Sequence, residues 1–285
     1  MTSAIEVSEL TFRYGGDSAS RPALDRVSFE CHSGAVHWLL GKLGAGCSTL
    51  LLAVAGLAPR HTGGELTGSV RVLERDPRQD AGRQALAGRI GYVTAAPSLQ
   101  LSGIAATVWE EAAFAPANLG WPIERIDAAV TGALERLGVA HLRDRDPATL
   151  SGGELQRVVL AGMLALSPDV WLLDDPATAL DAAGRQIFAD LLRGEAARGA
   201  TVLVASEDAD QMLEIADRLI VLENGQLAAD GSPRELVGGE WIWQHGPGST
   251  AVAALARAAA ALGPPVASLA EPYPLTIREA EARWS

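Results

Sequence analysis

The chain has 285 residues, 48% of them hydrophobic and 20% charged, with a formal net charge of −12. That balance excludes overall disorder and disfavours a broad nucleic-acid-binding surface, although a local basic patch could survive it. Two cysteines, Cys31 and Cys47, are too few for a disulfide framework and suggest a reducing cytosol. The N-terminal MTSAIEVSEL lacks the basic flank and apolar stretch of a signal peptide. No apolar run of about 18 residues is present to span a bilayer, so any membrane association is expected through a partner.

Ile5, Val7 and Leu10 to Tyr14 have strand character, ended by the turn residues Gly15-Gly16-Asp17. Val27 to Phe29 and Val36 to Leu40 read as further strands, the second a continuous apolar run suited to burial on both faces. A Gly-rich loop follows, then a helical pattern from Thr49 to Gly56. Pro97 to about Leu166 is mostly helical, clearest at Trp109 to Phe114 and Ile126 to Leu137. Val170 to Leu173, Thr201 to Ala205 and Arg218 to Leu222 are strands, and Ala182 to Arg198 an amphipathic helix. Asn224-Gly225 signals a hairpin. The alternation predicts an α/β fold on a parallel or mixed sheet, with one domain over 1–237 and a helical subdomain inserted at about 97–166. A short extension follows over 238–285, in which Trp241 and Trp243 alternate and Ala251 to Leu262 suits a helix.

The loop Gly41-Lys42-Leu43-Gly44-Ala45-Gly46-Cys47-Ser48-Thr49 has the spacing of a phosphate-binding loop. Its glycines let backbone N–H groups turn toward phosphate, and the following helix presents its positive end. Ser48 stands where a hydroxyl ligates Mg²⁺, but Cys47 occupies the position that the pattern gives to lysine. A thiol brings no positive charge, and a thiolate held by the helix N-terminus would repel phosphate. Loss of one charge-assisted contact weakens binding by about 1.5–3 kcal/mol. Lys42 could swing in as a substitute; otherwise it is a solvated loop residue.

Leu150-Ser151-Gly152-Gly153-Glu154-Leu155-Gln156-Arg157 is a more specific string. Val170 to Pro176, ending in Leu173-Asp174-Asp175-Pro176, and Thr178-Ala179-Leu180-Asp181 follow it. Alone, Ser-Gly-Gly is usually a turn and Leu-Leu-Asp-Asp a strand end. In this order and spacing the motifs, from about Ile5 to Pro233, resemble the nucleotide-binding subunits of ATP-binding cassette (ABC) transporters.

That resemblance implies a P-loop ABC-ATPase core acting as a head-to-tail pair, with ATP and Mg²⁺ between the phosphate loop of one subunit and the signature loop of the other. It casts Tyr14 as the adenine-stacking residue and Gly41, Gly44, Ala45, Gly46, Cys47, Ser48 and Thr49 as the phosphate loop. Asp174, with Ser48, would serve Mg²⁺; Ser151, Gly152, Gly153 and Glu154 would form the signature, acting on the partner's nucleotide; Asp181 would belong to the loop joining the two sites. Besides Cys47, three positions depart from the family pattern. Asp175 stands in place of the catalytic Glu, Ala95 in place of a Gln, and Glu207 in place of a His. Asp is shorter by one methylene, and base catalysis is sensitive to displacements of about 1 Å. Gln100 is expected either to reach in or to lie near a membrane partner.

One side of the nucleotide sandwich is thus altered at four places while the signature is intact. The expectation is the degenerate half of a heterodimeric ATPase, lending its signature to a competent second subunit; the alternative is a non-hydrolytic regulatory or scaffold subunit. Pro59 to Val70 and Val108 to Pro122 resemble the energy-coupling factor branch of importers. That likeness implies an integral membrane coupling subunit, a substrate-binding membrane subunit and a place at the cytoplasmic face of the membrane.

Overall fold

A computed structural model of the chain describes residues 2–15, 21–238, 250–260 and 274–284. Six strands form the central sheet: β3 (Val36–Leu40), β5 (Ile90–Val93), β6 (Val170–Asp174), β7 (Thr201–Ala205), β8 (Arg218–Glu223) and β9 (Gln226–Gly231). Their order is β5-β6-β7-β3-β8-β9, all parallel except β9, which returns from β8 through the Asn224-Gly225 turn. Every residue of β3, β6 and β7 is buried, because both faces of the sheet are covered. Along β6, Trp171 and Leu173 enter one core and Val170 and Leu172 the other; in β7, Val202 and Val204 oppose Leu203 and Ala205 in the same way. A fully buried Leu or Val side chain contributes about 1.5–3 kcal/mol, so these short strands are anchored from two sides.

A second sheet, antiparallel in the order β2-β1-β4, contains β1 (Ser3–Arg13), β2 (Leu24–His32) and β4 (Glu65–Val72). It closes over α1 (Cys47–Val54), whose Leu50, Leu51, Ala53 and Val54 fill the space between the sheets. The strand signals of the sequence do not find β4. Only its Val70 and Val72 are buried, Leu66 is half-buried, and the rest is polar or Gly. Cross-strand pairing with β1, from Ile5–Val72 to Arg13–Glu65, makes it a strand.

Between β5 and β6 lie α3 (Val108–Asn118), α4 (Ile123–Arg136) and α5 (Gly152–Leu166), which pack on one another; α2 (Asp80–Leu86) precedes them. Thr107 caps α3 reciprocally with Glu110. After β6 come α6 (Ala182–Ala197), α7 (Ala209–Ile215) and α8 (Pro233–Gly238). Of the extension, α9 (Ala251–Ala260) and α10 (Ile277–Trp284) are described. Ala251 N–H donates to the Asp210 carboxylate, and Arg234 pairs with Glu279, so both pieces are tied to the core. Trp241, Trp243, Leu262, Gly16 and Asp17 lie outside the described residues.

Candidate nucleotide cleft and signature helix

The phosphate loop joins the end of β3 to α1, and two glycines set its path. Gly46, the residue before α1, has φ +105°, and a Cβ there would stand 2.6 Å from the Ala23 carbonyl oxygen. A Cβ on Gly41 would meet Ala45 Cβ at 2.7 Å and Cys47 Sγ at 2.8 Å. The backbone therefore curls more tightly than side chains allow, which is the shape of an anion cradle.

Cys47 points its sulfur beneath this curl. Burial pushes the thiol up to about 12, and the negative charges of Asp174 and Glu207 push the same way. The thiolate considered from the sequence is thereby corrected: desolvation outweighs the helix N-terminus, and the group is a neutral thiol at ordinary pH. For the same reason the loop offers no reactive redox cysteine.

Asp174 ends β6 facing Ser48, whose hydroxyl donates to it. Burial raises the Asp174 carboxyl above its usual range, the Ser48 bond opposes this, and the neighbouring Asp175 charge adds to it. Asp175 turns out of the strand with φ +46°, its N–H donating to Ala205 O at 2.9 Å. Its carboxylate accepts a 2.6 Å bond from the Thr178 hydroxyl, so the shortened side chain is occupied by its own loop.

Glu207 follows β7 in a loop fixed from below. Trp38 Nε1 donates to Ser206 O at 2.8 Å, Ser206 N–H donates to Leu39 O at 3.2 Å, and Asp208 N–H donates to Ser206 Oγ at 3.1 Å. Glu207 itself is exposed to the cleft. Tyr14 is 46% exposed, meets Phe12 edge-on with centroids 4.8 Å apart, and bonds through its hydroxyl to Thr49 Oγ1 at 2.9 Å. A fixed aromatic ring on the cleft wall is suited to stacking on a base.

These residues line one cleft of about 580 Å³, which also includes Ala95. Among the charged residues lining it are four carboxylates, Asp174, Asp175, Glu207 and Asp208, and two cations, Lys42 and Arg185. Arg185 Nη1 is 2.6 Å from Asp208 Oδ2, and its Nε donates to Leu180 O. Lys42 is exposed. Sequence reasoning did not single out Thr178 or Arg185 as cleft residues. Their only signal was proximity to Asp175 and Asp181, since the fold brings α6 back past the loop. Gln100 does not reach the cleft: its side-chain oxygen accepts from Thr94 N–H and its amide donates to Tyr92 O, splinting the end of β5.

Ser151, Gly152, Gly153 and Glu154 lie elsewhere and do not line this cleft. Ser151 caps α5, and the Glu154 carboxylate accepts from both Ser151 N–H at 2.8 Å and Ser151 Oγ at 2.7 Å. Those bonds hold the Glu154 carboxyl below its usual range. Ser151 and Gly152 are exposed, so the start of a 15-residue helix, with its unpaired N–H groups, faces outward. Gly153 touches the other motif: a Cβ there would stand 2.9 Å from Ala179 O. Asp181 caps α6, accepting from Gly184 N–H at 2.7 Å.

A curled glycine loop under a serine–aspartate pair and a separate, outward-facing capped helix are thus combined in one chain. Residues 24–178 match the family described as ABC transporter. The chain belongs to the ABC transporter family. It is 36% identical over 236 residues to the energy-coupling factor transporter ATP-binding protein EcfA2 of Methanospirillum hungatei, covering 82% of this chain and 57% of that relative. It is 38% identical over 240 residues to the nickel import ATP-binding protein NikO of Rhodobacter capsulatus, covering 83% of this chain and 92% of that one. Among solved structures, cbiO1 from Clostridium perfringens, part of the ABC transporter complex cbiONQ, superposes with a TM-score of 0.72 at 28% identity. The superposition covers 86% of this chain and 94% of cbiO1. The ABC ATPase likeness to energy-coupling factor subunits expected from the motifs is therefore upheld, as is the mixed α/β fold.

The cradle suits a pair of bridging phosphates, because the positions where a Cβ would fill it are glycine. Ser48 and Asp174 offer a hydroxyl and a carboxylate to Mg²⁺, which commonly takes one or two protein oxygens and completes its shell with water.

Proposed function

We propose that this chain is the nucleotide-binding, degenerate half of a heterodimeric ATPase in an energy-coupling factor type membrane importer. The observation that carries this reading is the separation of the two motifs. A complete signature helix start, with Ser151 and Gly152 exposed, lies outside a cleft whose lysine, glutamine, glutamate and histidine positions hold Cys47, Ala95, Asp175 and Glu207. In a homodimer each composite site would join a complete signature to an altered cleft. In a heterodimer, Ser151, Gly152 and Gly153 supply hydroxyl and backbone N–H donors to a nucleotide that a competent second ATPase holds.

In this chain's own cleft, Tyr14 stacks on the adenine and residues 41–49 cradle the phosphates. Mg²⁺ held at Ser48 and Asp174 neutralises phosphate charge when bound. Asp175 spends its carboxylate on Thr178 and Ala95 has no polar atom to offer, so the cleft holds nucleotide without positioning a water for attack.

The names of the relatives, an energy-coupling factor transporter protein among them, and of cbiO1, part of an ABC transporter complex, support a multi-subunit membrane assembly, in which a coupling subunit and a substrate-binding subunit would be met at the cytoplasmic face. No described helix is long and apolar enough to cross a membrane. A groove of about 220 Å³ between β5, α3 and α5, bordered by Phe114 and Met163, offers a seat for a helix of the coupling subunit. Exposed Leu99 and Ile104 lie on the segment between β5 and α3.

The test is hydrolysis by this chain alone, by it mixed with the ATPase encoded beside it, and by the pair carrying Ser151→Arg. Little activity alone, activity in the pair and its loss with the substitution are expected. Unchanged turnover of the substituted pair would sink the reading.

A further inference from the structure

The cleft combines a backbone cradle with acidic walls. At the cradle, backbone N–H groups and the start of α1 offer positive potential to the phosphates nearest the nucleoside. Beside the cradle the wall is acidic, lined by Asp174, Asp175, Glu207 and Asp208. Cys47 lies within the field of both Asp174 and Glu207 and supplies no positive charge. Asp175 adjoins Asp174, and Glu207 is exposed to the cleft from a loop whose Ser206 backbone is fixed by Trp38 and Leu39. Of the two cations lining the cleft, Arg185 is already held by Asp208 and by Leu180 O, and Lys42 sits exposed in the loop. A third phosphate carries another negative charge into this region, and among the described residues no unengaged side chain other than the exposed Lys42 offsets it; a Mg²⁺ at Ser48 and Asp174 would serve a diphosphate as well as a triphosphate.

We infer that the cleft of this chain, taken by itself, is a nucleoside diphosphate site: it holds ADP at least as tightly as ATP, and Glu207 sets that preference against the third phosphate. The inference rests on the reading of the cleft as a nucleotide site and goes beyond it by naming which nucleotide the cleft selects. It is independent of the signature helix. The chain retains a nucleotide after the terminal phosphate is gone, whereas a site built around that phosphate loses affinity when it is cleaved.

The test is calorimetric titration of the purified full chain with ADP and with the non-hydrolysable β,γ-imido analogue of ATP, at one fixed Mg²⁺ concentration, so that turnover does not enter. The wild-type chain is expected to give an ADP affinity equal to or greater than that of the analogue. Glu207→Gln, an exposed and nearly isosteric change, is expected to strengthen analogue binding about fivefold relative to ADP, the size of one like-charge contact removed from a part-exposed site. Cys47→Lys provides a second lever and shifts the ratio the same way. A wild-type preference for the analogue of tenfold or more overturns the inference, as does a ratio that Glu207→Gln leaves unmoved. Binding of neither nucleotide also overturns it, yet leaves the signature role standing, because that role is read from the partner's hydrolysis in the mixed pair.

Discussion

The cleft and the signature helix are built with different tolerance for change. The signature is a self-contained local device: Ser151 and Glu154 bond each other across one helical turn, and the helix behind them is anchored by its own buried face. The cleft is assembled from the ends of β1, β3, β5, β6 and β7, so its functional side chains depend on five strands together. Cys47, Ala95, Asp175 and Glu207, the positions that depart from the expected pattern, sit at separate strand ends, over strands that are fully buried at β3, β6 and β7. A site distributed over many strand ends can lose catalysis and keep its shape; a one-turn device is kept whole or lost.

The largest effect that bears on this contrast is chemical. With its thiol pushed up to about 12, Cys47 should react with iodoacetamide at pH 8 about a thousandfold more slowly than an unperturbed cysteine, and the rate should climb without a plateau through pH 10. Mass-spectrometric labelling checks this; a plateau below pH 9 would mean the loop holds a thiolate. Next, Ser151→Arg should lower hydrolysis by the mixed pair about a hundredfold or more, because a bulky cation replaces a donor at the exposed helix start proposed to meet the partner's nucleotide. The same change should leave ADP binding to this chain unaltered, which calorimetry reads directly.

Gly46→Ala attacks the other face. The left-handed backbone alone costs about 1–2 kcal/mol, and the new Cβ also meets Ala23 O at 2.6 Å. ADP affinity should fall tenfold or more, and unchanged affinity would show that the curl is not the cradle. The smallest effect is expected of Asp181→Ala, which removes the cap of α6 and should lower stability by about 1 kcal/mol, visible as a few degrees in Tm.

The parallel strands were readable because burial on both faces leaves continuous apolar runs, as at Val36 to Leu40 and Val170 to Leu173. The antiparallel sheet was not: β4 is mostly exposed, and its pairing with β1 spans about 60 residues that no local pattern reports. At the site, the motif residues announced themselves by spacing. Their present states did not. The engagement of Asp175 by Thr178, the neutrality of Cys47 and the capture of Gln100 by the backbone of β5 all follow from packing and desolvation. Arg185 entered the cleft only because α6 folds back toward the loop after β7.

The contact between Gly153 and Ala179 joins the two faces mechanically. Thr178 lines the cleft, Ala179 is the next residue, and its carbonyl lies where a Cβ on Gly153 would have to go. The wall of one site and the floor of the other are consecutive residues of a single short strap running from Asp175 to Asp181. A methyl group added at Gly153 would press on that strap and displace Thr178 from Asp175 without touching a nucleotide. A change at Gly153 is therefore felt in the cleft through this strap, whereas Ser151 and Glu154, bonded to each other, take no part in the contact.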